Sequence, residues 1–404
     1  MRNLNSAYDS KALHFPPREG KGGALGRSRL AVTQLHLTNF RSYASAEIAV
    51  STRPVILTGA NGAGKTNLLE AISLLAPGRG LRGATLSEHV RKGPAPVDPL
   101  WAVSATVARG CESYQIGTGL SAGVGGTARQ VRLNGAPARS SADLAEMIQM
   151  VWLSPAMDRL FIESASGRRR FLDRLTLGFA PNHAQHSLRY EQAMRERARL
   201  LKHGPRDPTW LSALEQRMAE HGVAIMAARS DGVARLNAAL FERHEAGAFP
   251  SAQLNLDGDA DRLFAEETDG AGNAFRETLE RYRIRDAETG RTAFGPHVSD
   301  LLVRHTAKRM DARDCSTGEQ KALLISIVLA HARQLSHIRQ GFAPVLLLDE
   351  IVAHLDATRR AALFEEILAL GAQAWMTGTE LSMFGPLSGH ADIFEVAESR
   401  LAPI

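Results

Sequence analysis

The chain has 404 residues, 44% of them apolar and 23% charged, with a formal net charge of +5. These are the proportions of a globular protein with room for more than one subdomain, and its mildly basic balance permits a polyanionic partner without requiring one. Two cysteines, Cys111 and Cys315, are too few for a disulfide framework, and the longest apolar run, Leu323 to Ala330, is far too short to span a bilayer; the chain is therefore expected to be cytoplasmic, with no membrane partner.

Residues 1–29 are rich in Gly, Arg and Lys and contain no apolar stretch, so they read not as a secretory signal but as a disordered basic arm or an upstream start not used in the cell, with a nucleic-acid-binding tail the less favoured alternative. From Leu30 the sequence alternates as a half-buried strand, passes through Asn39-Phe-Arg-Ser-Tyr43 and alternates again to Val50. Arg53 to Thr58 is short, apolar and β-branched, as a buried parallel strand should be. It runs into Gly59-Ala-Asn-Gly-Ala-Gly-Lys-Thr66, which fits the phosphate-cradling pattern G-x-x-x-x-G-K-[ST], and Asn67 to Leu75 follows with helical periodicity. A loop between a buried strand and a helix N-terminus is the context this motif needs. Backbone N–H groups of Gly59, Ala60, Asn61, Gly62, Ala63 and Gly64 can converge there on a triphosphate, aided by the helix dipole. Lys65 would reach the β- and γ-phosphates and Thr66 would hold Mg²⁺. ATP and Mg²⁺ are the expected cofactors.

Several short alternating runs between 97 and 140, with Asn134-Gly135 as a turn, read as an antiparallel β-layer, and Val151-Trp-Leu-Ser-Pro155 as another buried strand. The texture changes near Ser164. Residues 165–245 hold 14 Lys/Arg against 9 Asp/Glu, and Tyr190, Met194, Ala198 and Leu201, then Leu211, Leu214, Met218 and Ile225, fall at helical spacing. Gly204-Pro-Arg-Asp-Pro208 separates the two helices. Residues 255–290 are acidic, with 10 acids and 5 bases, and read as a surface loop plus a helix around Phe275 to Ile284. In the basic stretch, Arg168, Arg169, Arg170, Arg195, Arg197, Arg199 and Lys202 admit two readings, contacts to DNA phosphates or a solvated face paired with Glu191 and Glu196. Asp173 and Arg174 are expected to fix the arm to the rest, and His297 to be structural.

Sheet pattern returns after Arg291, with Leu301 to Val303 a strand. Ser316-Thr-Gly-Glu319 is a capping box opening an apolar helix, a second helix N-terminus able to bind an anion. Val345 to Leu348 is an apolar strand ending in Asp349 and Glu350. Asp349 is placed to hold the Mg²⁺ water shell, and Glu350 to orient and polarise an attacking water, which makes Glu350 and Lys65 the candidate catalytic residues. A helix from about Ala357 and a strand at Ala374 to Thr377 complete an α/β core. The two ends of the chain thus build one domain, a P-loop head with a mixed sheet and an antiparallel β-layer, into which a helical arm is inserted; the expected divisions are 1–29, 30–163, 164–290 and 291–404.

Ser316-Thr-Gly-Glu-Gln320 resembles the signature motif of ABC-type ATPases. His354-Leu-Asp356 resembles the loop that follows the paired acids in that class, although Asp356 also suits the N-cap of the next helix. Thr377-Gly-Thr379 falls where the class carries its switch residue, with Thr377 the candidate. The finer resemblance, from about residue 30 onward, is to the RecF family of recombination-mediator ATPases. It rests on Leu37-Thr-Asn-Phe-Arg-Ser-Tyr43, the phosphate loop through Ile72, Arg168-Arg-Arg-Phe-Leu-Asp173, Phe294-Gly-Pro-His-Val-Ser-Asp-Leu301 and Cys315 to Lys321.

The resemblance implies an ABC-ATPase-like head that dimerises on ATP and separates after slow hydrolysis, with Ser316 and Gly318 meeting the γ-phosphate across the dimer and Arg41 near the nucleotide phosphates or base. It also implies DNA as a partner, single-stranded and at gapped or junction duplex. RecO and RecR would act with the chain in assisting RecA loading at single-stranded gaps. A Mg²⁺-linked glutamine is expected near Val151 to Pro155; the aligned position is Val151, and Gln149 lies two residues earlier. The competing reading, the cytosolic ATPase subunit of an ABC transporter, shares the ATP motifs but does not account for the inserted basic helices. Coiled-coil chromosome organisers and small-molecule P-loop kinases fit less well: the middle is too short and interrupted for the first, and the second has no need of the Ser316 helix.

Overall fold

A computed structural model describes residues 29–92, 100–123, 126–138, 143–204, 207–242, 247–266 and 270–404. Residues 1–28 of the expected basic arm, and 205–206 of the expected interhelical break, lie outside the described residues.

Five parallel strands form the centre, in the spatial order Asp392–Ala397, Val55–Thr58, Ala374–Gly378, Val345–Leu348, Met150–Leu153, with Arg400–Pro403 antiparallel at one edge. Strands from both ends of the chain are interleaved in this sheet, so neither end forms it alone. Val55–Thr58, Val345–Leu348 and Met150–Leu153 are buried at every position, because both faces of a parallel sheet are covered. Ile56, Leu346, Leu348 and Met376 face one core with the helices Thr317–Ile338 and Ala357–Leu370. Val55, Leu57, Leu347 and Trp375 face the other, with the helix Lys65–Ser73 and a second, antiparallel sheet.

That second sheet has the order Tyr43–Ala49, Leu30–Phe40, Ala102–Arg109, Glu112–Gly123, Gly126–Leu133, Ala136–Pro137. A fully buried amide joins the layers. Gln373 accepts from Val32 N–H (2.8 Å) and from Trp375 Nε1 (3.0 Å), and donates to the carbonyls of Val32 and Ser51 (3.0 Å each), so no polar atom of this side chain is left orphaned between two apolar layers. From the same β-layer, Arg129 donates to the carbonyls of Leu74, Ala76 and Gly78 beyond the C-terminal end of the Lys65–Ser73 helix, where a cation also complements the helix dipole.

In the inserted region Ala165–Phe179, His183–His203 and Pro208–Phe241 are helices, and Asp207 caps the last through Thr209 N–H at 2.8 Å with Pro208 at its first position. Val233, Leu236, Ala239 and Leu240 at the C-terminal end of the long helix share the head's own core, whereas Tyr190, Met218, Ile225, Phe275 and Phe294 form a separate cluster farther out. Part of the stretch read as surface loop is instead the strand Ala252–Asp257, antiparallel to Asp300–His305. Its alternation, with Ala252 and Leu254 buried, is a period-two pattern too brief to stand out among acidic neighbours. Two helices, Ala271–Arg281 and Arg283–Thr289, occupy the place where one was expected.

Candidate nucleotide site

The phosphate loop leaves the C-terminal end of Val55–Thr58, Asp349 and Glu350 follow Val345–Leu348, and Thr377 lies near the end of the strand between them. Strand order therefore gathers three separated segments at one end of the sheet, where parallel α/β sheets bind their ligands. Asp349 Oδ1 accepts from the hydroxyls of Thr66 and Thr377, both at 2.9 Å, and Thr377 Oγ1 accepts in turn from the Glu350 N–H at 2.8 Å. The buried carboxylate that follows Val345–Leu348 thus ties the start of the Lys65–Ser73 helix to the strand Ala374–Gly378. Burial raises the pKa of Asp349; the Thr377 and Thr66 hydrogen bonds oppose that rise, and the adjacent Glu350 adds to it.

Lys65 is buried and donates to the carbonyls of Gly59 (2.6 Å) and Ala60 (2.9 Å). Burial lowers its pKa, and the charges of Glu350 and Asp349 act the other way. Gly59, Gly62 and Gly64 have φ of 140°, 82° and 115°, values at which a side chain is strained. Glu350 has φ 54°, a left-handed backbone that costs a non-glycine residue about 1–2 kcal/mol and that is often found at functional sites.

The donor set fits Mg²⁺. Thr66 and Asp349 offer hard oxygens side by side, and a buried carboxylate whose charge is disfavoured gains from a cation. Among the described residues no group of three His, Cys, Asp or Glu is arranged to hold a metal unaided; Mg²⁺ characteristically takes one or two protein oxygens and completes its shell with phosphates and water.

Other expected residues stand differently. Arg41, itself at φ 53°, gives Nε and Nη2 to both oxygens of Glu70 (2.8 and 2.7 Å) and Nη1 to the Glu88 carbonyl (2.7 Å), so its guanidinium is tied to the loop's own helix. The cause is Glu70, a fully buried carboxylate on the loop's own helix that needs positive partners. Arg82 supplies the other, at 2.8 Å from Glu70 Oε2, and its charge slightly opposes the rise in the pKa of Asp349. Sequence reasoning passed over Glu70 and Arg82; an acid inside an otherwise apolar helical run was the available signal.

Gln149 does not reach this site. Met150 pairs with Val345 and Leu153 with Leu348, so residue 149 precedes the strand, at the end opposite Asp349, and its own carbonyl accepts from Val345 N–H at 2.9 Å. The segment's position next to Asp349 belongs to the buried Ser154, since Asp349 N–H donates to the Leu153 carbonyl at 3.0 Å.

Ser316 caps the helix Thr317–Ile338. Its hydroxyl and N–H donate to Glu319 Oε2 (3.0 and 3.1 Å), Lys308 pairs with Glu319 Oε1, and these bonds hold the Glu319 carboxyl down to about 2. Ser316 and Gly318 are exposed, and a side chain at Gly318 would meet nothing within 4 Å. Asp356 is an exposed N-cap, accepting from Arg359 N–H at 2.8 Å. Cys315 is a buried free thiol.

The arm motifs are mostly internal fasteners. Arg168 forms a two-pronged pair with Asp300 (2.8 and 2.7 Å), and Arg169 donates to the Ser299 carbonyl. Asp173 holds Arg229 and His183, while Arg174 lies over the rings of Trp152 in the head and Phe171 in the arm at 4.6 and 5.4 Å. His297 joins Tyr190 Oη (2.9 Å) to the Thr292 carbonyl (2.9 Å). Arg197 is fully buried among Glu215, Asp286 and the Leu279 carbonyl and is therefore no phosphate contact. Arg170, Arg195, Arg199 and Lys202 remain exposed.

A parallel core with a phosphate loop, a paired-acid strand and an antiparallel side layer, interrupted by a helical insertion, defines a P-loop head of the kind found in chromosome-maintenance proteins. The family model described as RecF/RecN/SMC N terminal domain matches residues 31–396. The chain is 50% identical to the DNA replication and repair protein RecF of Mesorhizobium japonicum, over 92% of this chain and 97% of that one, and 46% identical to that of Rhizobium etli strain CIAT 652, over 92% and 99%. A solved structure of the recombination mediator protein RecF-ATPrS aligns with TM-score 0.80 at 23% identity, over 94% of this chain and 100% of that one; an SMC head bound to the winged-helix domain of ScpA aligns at 0.51 and 15%, over 92% and 96%. The chain belongs to the RecF family, and the transporter alternative is not favoured.

Proposed function

We propose that the chain is an ATP-gated DNA-binding protein of recombinational repair and replication restart. The observation that carries this reading is the Thr66–Asp349–Thr377 hydrogen-bond chain, which joins phosphate loop, acid strand and switch strand around one buried carboxylate. The names of the relatives, a DNA replication and repair protein and a mediator of the RecFOR pathway, support the biological setting.

The loop N–H groups and Lys65 bind the triphosphate. Mg²⁺, held by Thr66 and Asp349, would supply charge neutralisation at the β- and γ-phosphate oxygens. Glu350 orients a water and accepts its proton, while Thr377, bonded to the Glu350 N–H, keeps that backbone in place. Ser316 and Gly318 of a second copy complete the site through the exposed N-terminus of the Thr317–Ile338 helix, and Asp356 lies in the same dimer contact. The ATP-bound homodimer binds single-stranded DNA and gapped or junction duplex and, with RecO and RecR, assists RecA loading at single-stranded gaps; the absence of any described helix long and apolar enough to cross a membrane is compatible with that cytoplasmic role.

Sizing by light scattering, with and without ATP and a gapped duplex, tests the reading. A dimer mass is expected only with ATP, and Ser316→Arg is expected to bind ATP yet remain monomeric. A Ser316→Arg chain that dimerised as the parent does would overturn the assignment of that helix to the partner's nucleotide.

A further inference from the structure

A phosphate loop works only with its N–H groups turned inward, which directs its carbonyls outward onto whatever donors stand there. Lys65 covers the carbonyls of Gly59 and Ala60 from within the motif. Two further donors come from distant parts of the chain. The Tyr43 hydroxyl donates to the Gly64 carbonyl at 3.1 Å, and the Ser399 N–H donates to the Ala63 carbonyl at 2.9 Å.

Ser399 belongs to the tight turn joining Asp392–Ala397 to Arg400–Pro403. It presents its N–H to the loop from a turn in which both central residues are left-handed, with φ 48° at Glu398 and 59° at Ser399. Asn-Gly is the pair that suits such a turn; Glu-Ser does not, and strained backbone beside a ligand loop points to a task there. Space is closed on the same side. A side chain at Gly64 would stand 2.8 Å from Tyr43 Oη and 3.2 Å from Ser399 Oγ, and one at Gly59 would stand 2.1 Å from the Val396 carbonyl in the first strand of the same hairpin. The hairpin therefore abuts the phosphate loop at both ends, and Tyr43, wholly buried, closes it from the opposite sheet.

We infer that Tyr43 and the Glu398–Ser399 turn are positioning residues that clamp the phosphate loop in its triphosphate-receiving shape, so that this hairpin sets nucleotide affinity. The inference rests on the ATP reading above. It is tested on the full chain by titration with the fluorescent analogue mant-ATP, alongside thermal melting. Ser399→Pro lacks the N–H and cannot adopt φ 59°; it is expected to weaken binding about tenfold or more, and Tyr43→Phe, which removes a single hydrogen bond, about three- to tenfold. The double change Glu398→Asn/Ser399→Gly keeps the N–H in a relaxed turn and is expected to retain parental affinity. Leu401→Ala trims a partly buried hairpin residue packed against the head core and is expected to lower the melting temperature without moving the dissociation constant.

Parental affinity in both Ser399→Pro and Tyr43→Phe would overturn the clamp while leaving the ATP reading intact, as would a Leu401→Ala loss equal to that of Ser399→Pro. Should Ser399→Pro fail to fold, Tyr43→Phe decides alone: weaker binding at a near-parental melting temperature supports the clamp, and unchanged binding removes it. A parent chain that binds no mant-ATP would sink the ATP reading and the clamp together.

Discussion

The nucleotide end of the head and the helical arm bury the same kinds of charged residue and treat them in opposite ways. In the arm, Arg197 gives Nε to Glu215 (2.9 Å), Nη1 to Asp286 (2.6 Å) and Nη2 to the Leu279 carbonyl (2.7 Å). Arg283 takes the other oxygen of Glu215 at 2.6 Å, and Arg229 divides itself between Asp173 and the Pro296 carbonyl. Arg197, Arg229, Glu215 and Asp286 each meet an opposite charge in the same chain; the buried Asp261, whose pKa burial raises, is the exception. At the nucleotide end, Asp349 accepts from two hydroxyls beside a second acid, and the Lys65 ammonium rests on two carbonyls with its pKa lowered by burial. The Arg197 and Arg229 networks satisfy their charges and fix how helices pack. In the head Glu70 is matched in the same way by Arg41 and Arg82, whereas Asp349 and Lys65 are incompletely matched within the chain, which is the condition of a site meant for a charged ligand.

The contrast is broken most easily by one substitution on each side. Arg197→Met strands Asp286 in the interior, leaves Glu215 to Arg283 alone, and is expected to cost about 3–5 kcal/mol of stability, read by urea denaturation, while the surviving folded protein keeps its nucleotide affinity. Lys65→Met should do the reverse. It removes the phosphate contact and is expected to weaken mant-ATP binding roughly a hundredfold or more, with no loss of urea stability, because burial already disfavours that charge. An Arg197→Met chain losing affinity in proportion to stability would show that the two regions are not separable in this way.

What the sequence made legible follows the same divide. The strands at 55–58 and 345–348 announce themselves as continuous apolar runs, and the loop and acids that follow them are local in sequence, so both motifs could be read and set on one sheet. Arg197 could not be told from Arg195 or Arg199. Which of the three turns inward is decided by Glu215 and Asp286, 18 and 89 residues away, and no local pattern carries that. The place of Gln149 was open for a related reason: strand pairing, not proximity in sequence, decides which end of Met150–Leu153 stands next to Asp349. The strand Ala252–Asp257 and the Arg41–Glu70 pair likewise depend on distant partners, Asp300–His305 in the first case and a buried helical acid in the second.

The join between the two regions offers a smaller effect. His331, on the Thr317–Ile338 helix, has Nε2 2.9 Å from the Leu175 carbonyl of the arm and packs edge-on against Phe179. Burial pushes it down to about 3. Below its ordinary value of 6.5 the unfolded chain takes up a proton that the folded chain refuses, so stability is lost as pH falls from there toward 3, by up to about 1.4 kcal/mol per pH unit. His331→Gln, which keeps a donor toward Leu175, is expected to flatten that part of the stability profile between pH 6 and 4 in paired urea titrations. Parallel profiles for parent and variant would mean that the histidine charges freely and that the join is open to water.

The smallest expected change decides what the exposed arm charges are for. Arg195 Nη1 lies 3.4 Å from Glu191 Oε2, and both side chains are more than half exposed, so Arg195→Gln should shift stability by less than about 0.5 kcal/mol. Its value as a probe lies in salt. If DNA runs along the arm, each lost phosphate contact lowers the slope of log affinity against log salt by about 1, and Arg195→Gln should show that decrease on a gapped duplex in the presence of ATP, with Arg197→Met showing none because its guanidinium never meets solvent. An unchanged slope for Arg195→Gln would leave the arm's outer charges as a solvated face and transfer the DNA contact to the head, where the exposed helix N-terminus at Ser316 and the loops beside Asp349 already gather the chain's ligand-directed groups.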